Sequence, residues 1–170
     1  MLPQDVVVLA KLVSYGSARP ALAQMASDLS LSTSQVHASI RRLERSRLVD
    51  AQTGRPILSA VEEFFVHAVK YVFPPERGES TRGIPTAHAA PPLAKRIVQS
   101  GPAPVWPDAE GTVRGLTLQP LHKIAPAASR RDPALYDLLT LVDAVRDGRA
   151  RERKVAEKEL AVRLRTLLRG

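Results

Sequence analysis

The stretch that decides the fold is Ala21-Leu-Ala-Gln-Met-Ala-Ser-Asp-Leu-Ser-Leu-Ser-Thr-Ser-Gln-Val36. Leu22, Met25, Ala26 and Leu29 fall at i, i+3, i+4 and i+7, which predicts a short helix with one apolar face. Ser30-Leu31-Ser32 follows as a three-residue turn. Ser32 with Gln35 three residues on has the form of a capping box, so a new helix opens there. Val36, Ile40 and Leu43 then supply the buried stripe of that helix, expected over 33–47.

Upstream, Val6, Val7, Ala10 and Val13 share a helical face, with Leu9 and Leu12 beside it. Pro3 sits near the start, where a missing N–H does little harm, and Gly16 and Pro20 end that helix. Downstream, Ser59 is expected to cap a fourth helix reaching about Val72, with Glu62 and Glu63 in its first turn. Val61, Phe64, Phe65, Ala68, Val69 and Val72 make it apolar over more than one stripe, so it should be buried on two sides. His67 lies on this helix and reads as a buried or boundary histidine rather than a pH sensor.

Proline use divides the chain. Eleven of its 14 prolines fall between Pro74 and Pro133, and none lies beyond. The expected organisation is therefore 1–73 helical, 74–132 an irregular packed segment with one or two short strands, and 133–170 a helical pair. Val113 to Leu118 reads as a strand, and Trp106, between Val105 and Pro107, as a packing anchor. Asp132-Pro133 has the form of an N-cap followed by proline at the first helical position. Leu135, Leu138, Leu139, Val142 and Val145 line one face of the helix that follows, and Gly148 marks its stop. Val155, Leu160, Leu164, Leu167 and Leu168 belong to a last helix whose register drifts too far for a long coiled coil. This pair either joins two copies of the chain or covers the middle layer of one.

Among 170 residues there are 25 Lys plus Arg against 17 Asp plus Glu, a net charge of +8. A basic balance points to a polyanionic partner. There is no Cys, which excludes disulfides, thiolate metal sites and a cysteine nucleophile and fits a reducing, cytoplasmic compartment. No apolar run approaches the ~18 residues of a membrane span, so no membrane partner is expected. Met1 to Asp5 lack a basic region leading into an apolar one, so no signal peptide is expected. His37, His67, His88 and His122 have no zinc-protease spacing, and there is no Gly-x-Ser-x-Gly elbow. Neither an enzyme nor a bound cofactor or metal is expected.

The quoted stretch, continued by Ile40-Arg-Arg-Leu-Glu44 and Leu48-Val49, resembles the helix-turn-helix of winged-helix transcription regulators of the MarR (multiple-antibiotic-resistance regulator) type. The likeness covers about residues 4 to 58, a third of the chain. Ala26 takes the place of the small residue inside the second helix, and Leu31 that of the apolar residue after the turn. Ser30 stands where glycine is common in the turn. The resemblance implies a mainly α protein with an N-terminal winged-helix-like DNA-binding unit, its wing short or absent. It also implies a homodimer on double-stranded DNA.

The polar start of the third helix, Ser32, Thr33, Ser34 and Gln35, is then the part that enters the major groove, with His37, Ala38, Arg41 and Arg45 on the same outward face. Ser and Thr hydroxyls bond to several base edges, the Ala38 methyl suits a thymine methyl, and Arg41 suits guanine or a phosphate. Arg42, Arg45 and Arg47 suit backbone contacts, which give affinity without sequence reading. Between Leu48 and Leu58, Thr53-Gly54 either turns a wing hairpin with Arg55 at its tip, aimed at the minor groove, or the segment is a plain loop. The expected function is a sequence-specific regulator acting as a repressor. The alternative is an antitoxin or adaptor whose apolar C-terminal helices dock a different polypeptide.

Overall fold

The computed structural model describes residues 1–18, 20–98 and 101–169. The chain is mainly helical, with one small sheet. Helices α1 (Pro3–Ser14), α2 (Leu22–Leu29) and α3 (Thr33–Arg45) come first. The next helix runs as α4 (Leu58–Glu63), a π-helical turn (Phe64–Ala68) and α5 (Val69–Val72). Strand β1 (Arg77–Pro85), the short helix α6 (Pro91–Ala94), strands β2 (Pro104–Pro107) and β3 (Val113–Leu118), and α7 (Ala125–Arg131) form the middle. Helices α8 (Pro133–Asp147) and α9 (Ala150–Arg169) close the chain.

Two helices form the centre. In α1 every residue from Asp5 to Lys11 is buried, together with Val13, so this helix is enclosed on all sides rather than along one face. It touches α3, α8 and α9. In α8 the run Leu138 to Arg146 is buried throughout. Asp132 caps it as expected, its Oδ1 accepting from the Leu135 N–H at 3.0 Å, and the helix ends at Gly148. One continuous core extends from Val6 to Leu164, so the three compositional segments share a single interior. Replacing a fully buried core leucine such as Leu9 or Leu138 with alanine costs about 2–5 kcal/mol.

The fourth helix starts earlier than expected. Ile57, not Ser59, is its N-cap, and no side chain caps it. The π turn then adds a residue, so adjacent Phe65 and Val66 are both buried before Val69 returns to the core. Val72, expected in the buried set, is exposed. His67 is exposed on the solvent side rather than at a buried boundary.

Three strands, not one or two, lie in the middle. β1 runs antiparallel to both others, with Ile84 opposite Trp106 and Thr81 opposite Gly115. β2 and β3 pair in parallel at Val105 and Thr117, which closes the three strands on themselves. Closure this tight requires glycine. A Cβ on Gly83 would run into the Trp106 carbonyl, and one on Gly115 into the Ala103 carbonyl. Trp106 is the anchor expected, only 1% exposed. Its indole N–H donates to Asp143 Oδ2 at 2.6 Å, and the Thr86 hydroxyl donates to the same oxygen at 2.8 Å. Arg146 bonds Asp143 Oδ1 at 2.6 Å and also the carbonyls of Phe73 and Pro74. Burial pushes the Asp143 carboxyl up, while Arg146, Thr86 and Trp106 hold it back. This buried cluster fixes the sheet layer to α8.

The C-terminal pair packs within the chain, with Val162 of α9 left exposed. Ala156, Leu160 and Leu164 of α9 are buried against α8, α1 and α4. Ion pairs at its edges join Arg165 to Glu62 at 2.6 Å and Arg163 to Asp137 at 3.0 Å. No helix of the described residues is long and apolar enough to cross a membrane.

Candidate nucleic-acid interface

The α2–turn–α3 unit begins and turns where the sequence predicts, but α3 ends at Arg45 rather than at residue 47, where Arg47 takes φ 57°. Ser30 ends α2 in the left-handed region at φ 53°. A residue with a Cβ pays a strain of about 1 kcal/mol there. A distant arginine offsets it: Arg131 Nη2, at the end of α7, donates to the Asp28 carbonyl at 2.8 Å and to Ser30 Oγ at 3.1 Å. The capping box is formed at both contacts. Ser32 Oγ accepts from the Gln35 N–H at 3.1 Å, and Gln35 Oε1 accepts from the Ser32 N–H at 3.0 Å. The N-terminal turn of α3 is thereby fixed while its side chains stay in solvent.

Val36 and Leu43 are buried and Ile40 is partly so, which turns the opposite face outward. Ser32, Thr33, Ser34, Gln35, His37, Arg41 and Arg45 are exposed together. Ala38 is half-buried at the edge of this face. Arg41 remains largely in solvent but pairs with Glu44 at 2.8 Å within its own helix. Arg45 and Arg47 are exposed and make no ion pair among the described residues.

Arg42 departs from its expected place. Its guanidinium turns inward and binds Asp5 in two-pronged fashion, Nε to Oδ2 at 2.8 Å and Nη2 to Oδ1 at 2.7 Å, and it also reaches Ser39 Oγ. Asp5 is fully buried, so its charge requires a partner. Burial pushes the Asp5 carboxyl up, but Arg42, the Leu2 N–H and Ser39 outweigh it and hold it below the usual carboxylate value. Arg42 therefore joins α1 to α3 and offers little to a phosphate. Gln4 adds a second link, its amide donating to Ser39 Oγ at 3.0 Å.

Between α3 and α4 the chain makes a minimal hairpin. Val49 and Pro56 form one antiparallel bridge. The Asp50 N–H reaches the Arg55 carbonyl and the Ile57 N–H the Leu48 carbonyl, each at 2.9 Å. Asp50 Oδ1 accepts from the N–H groups of Gln52 and Thr53, and Gly54 takes φ +67° to complete the turn. Arg55 is exposed beside it, on the same connection that leaves α3.

A second group of residues, missed in the sequence, holds α2 in place. Lys11, 5% exposed, sits between Asp28 at 3.1 Å and Asp132 at 2.8 Å, over the Tyr15 ring. Tyr15 donates its phenol to Asp28 at 2.6 Å, and Ser14 donates to Asp132 at 2.7 Å. The Tyr15 hydrogen bond, with help from Gln24 and Lys11, outweighs burial and keeps Asp28 below the ordinary carboxylate value. Burial works against Asp132, and the bonds from Lys11, Leu135 N–H and Ser14 overcome it. A signal was present: Lys11 is the one charge within Val6–Val13.

Among the described residues no group of three or more His, Cys, Asp or Glu side chains is placed to hold a metal ion. Comparison of the chain with family models, curated proteins and solved structures gave no match.

Proposed function

We propose that the protein is a sequence-specific DNA-binding regulator that lays α3 in the major groove. The observation that carries this reading is the outward face of α3. Short polar side chains at a fixed helix N-terminus precede exposed Arg41 and Arg45, and exposed Arg55 follows on the adjoining hairpin. Thr33, Ser34 and His37 are short enough to approach base edges, Arg41 exchanges Glu44 for a guanine or phosphate, and Arg45 and Arg47 bind the backbone. Arg55 follows the hairpin toward the minor groove. The arrangement resembles the winged-helix regulators of the MarR type, with a wing reduced to one bridge. Two copies acting on a pseudo-palindromic site would place their α3 helices about 34 Å apart. The α8 face and the Ala156, Leu160 and Leu164 positions of α9 are covered within the chain, so such a dimer would use other surface, with Val162 of α9 exposed.

The test is binding to the DNA upstream of the protein's own gene against scrambled DNA of equal length, at two salt concentrations. The expected result is preference for the upstream DNA with a steep loss at higher salt. Absence of binding at low salt refutes the proposal.

A further inference from the structure

We infer that the outer face of the β1–β3 ribbon is a second, sequence-independent contact for the phosphate backbone of duplex DNA, centred on Arg82 and Arg114. This contact rests on the DNA-binding reading above and extends it to a surface outside α3 and its hairpin.

Arg82 and Arg114 stand directly opposite each other on antiparallel strands. The Arg82 carbonyl accepts from the Asp108 N–H, just past the end of β2. In an antiparallel strand the N–H and C=O of one residue point to the same side, so toward β3 Arg82 sits in a non-hydrogen-bonded pair. That is the closer kind, with Cα atoms about 4.5 Å apart. Gly83, Gly115 and Thr117 are buried, so by alternation Ser80, Arg82, Arg114 and Leu116 face outward, and all four are exposed.

Like charges directly opposite each other repel. Neither arginine makes an ion pair among the described residues. The acids of the β2–β3 loop are committed elsewhere, since Asp108 and Glu110 both pair with Arg130. Glu79, the one acid of the two strands, lies three residues from Arg82, about 10 Å along the strand. Leu116 lines a concavity together with Arg77 and Arg149, so the basic face continues past the Ser80–Leu116 pair. Arg77 is tied to Asp147 at 2.6 Å, whereas Arg149 is exposed and makes no ion pair among the described residues. Three uncompensated cations therefore follow one another: Arg82 and Arg114, then Arg149 beyond Leu116.

All three are arginines, whose planar fork meets a phosphate with two parallel hydrogen bonds. None of the four outward residues is aromatic, so the face offers no platform for unpaired bases and no apolar band to enter a lipid surface. Charge complementarity thus selects a duplex backbone. Adjacent Arg130 and Arg131 bind the β2–β3 loop and the turn before α3 respectively, which holds the ribbon and the recognition helix in one frame.

Fluorescence anisotropy of the full chain on its upstream duplex and on scrambled duplex, across a range of salt, tests the contact. Arg82→Ser combined with Arg114→Ser should weaken both duplexes about tenfold, keep the ratio between them, and lower the salt slope by about 2, one for each phosphate released. Arg114→Glu turns cross-strand repulsion into attraction and should raise the melting temperature while weakening both duplexes further. Unchanged affinity and slope in the double variant, with Arg45→Ala still weakening binding, overturns the ribbon contact and leaves the α3 reading standing. A wild type that binds no DNA at low salt overturns both. A lower melting temperature for Arg114→Glu refutes the facing of the two guanidinium groups, and the contact with it. Wild-type binding to vesicles of phosphatidylcholine and phosphatidylserine in equal parts, lost in the double variant while its DNA affinity is kept, overturns the assignment in favour of a membrane surface.

Discussion

Arg131 is hydrogen-bonded to Ser30 across 101 residues of sequence, at 3.1 Å, and takes the Asp28 carbonyl with the same nitrogen. The turn that sets α3 against α2 is therefore held from a separate part of the chain. Its left-handed serine carries an external tether where glycine would need none.

Arg131→Ala tests that tether. Because the side chain is exposed, the stability loss should be small, about 1 kcal/mol. The effect on DNA should be larger in kind. Affinity for the specific site is expected to fall more than affinity for scrambled DNA, because α3 loses its angle rather than its charge. Denaturant unfolding and fluorescence anisotropy on the two DNAs measure both. An equal loss on both sequences would contradict the assigned role.

Two neighbouring arginines on α3 should behave oppositely. Arg42→Ala leaves Asp5 charged and buried and should cost about 3 kcal/mol of stability. Arg45→Ala should leave stability within about 0.5 kcal/mol. It should weaken binding to every DNA sequence alike and reduce the salt slope by about 1. Comparable unfolding midpoints for the two variants would disprove the division between them.

Acid should loosen the α1 region. Asp5, Asp28 and Asp132 are all held below their usual value of 3.8. A depressed folded-state value means that the unfolded chain binds more protons as pH falls through that range. Their contribution is full above the unfolded value and is lost on acidification below it. Asp137 and Asp143 are shifted upward, chiefly by burial, and act in the opposite sense. Below about pH 4 the wild type should thus lose the part carried by the three depressed carboxylates. Asp28→Asn should start less stable at pH 7 and show a shallower acid decline, as thermal melts from pH 2 to 6 would reveal. Parallel curves for the two proteins would rule out the assigned linkage.

The hairpin offers a local test. Arg55→Ala removes an exposed cation and should leave the melting temperature unchanged while lowering DNA affinity several-fold. Gly54→Val places a β-branched residue at φ +67°, in open space, so strain rather than collision sets its cost of about 1–2 kcal/mol. A DNA affinity indifferent to both changes would remove the hairpin from the interface.

The parts legible in the sequence are those written in local chemistry. Ser32 and Gln35 announced α3, Asp132-Pro133 announced α8, and Val113–Leu118 showed itself as a strand. β1 hid because its pairing is long-range: Arg77-Gly-Glu-Ser-Thr-Arg-Gly-Ile-Pro85 has no apolar alternation, and its place depends on Gly83, Gly115 and the partner strands. β2 hid because prolines bound both its ends. Ser59 misled because serine caps a helix only where its side chain faces the free N–H groups, and Ile57 already occupied that position. Arg42 looked like its neighbours Arg41 and Arg45, and only the burial of Asp5, 37 residues away, sets it apart.

The enclosure of α1 has a consequence for synthesis. Helix α1 is covered by α3 and α8, and by α9, all of which follow it in synthesis. Until Leu164 emerges, Val6 to Val13 lacks part of its cover and the nascent chain carries an exposed apolar rod. A fragment ending at residue 73 should therefore be poorly helical and aggregation-prone, which circular dichroism and sedimentation would show. The α1–α3 unit thus shares one core with the rest of the chain, and its cover is complete only when α9 closes over α1.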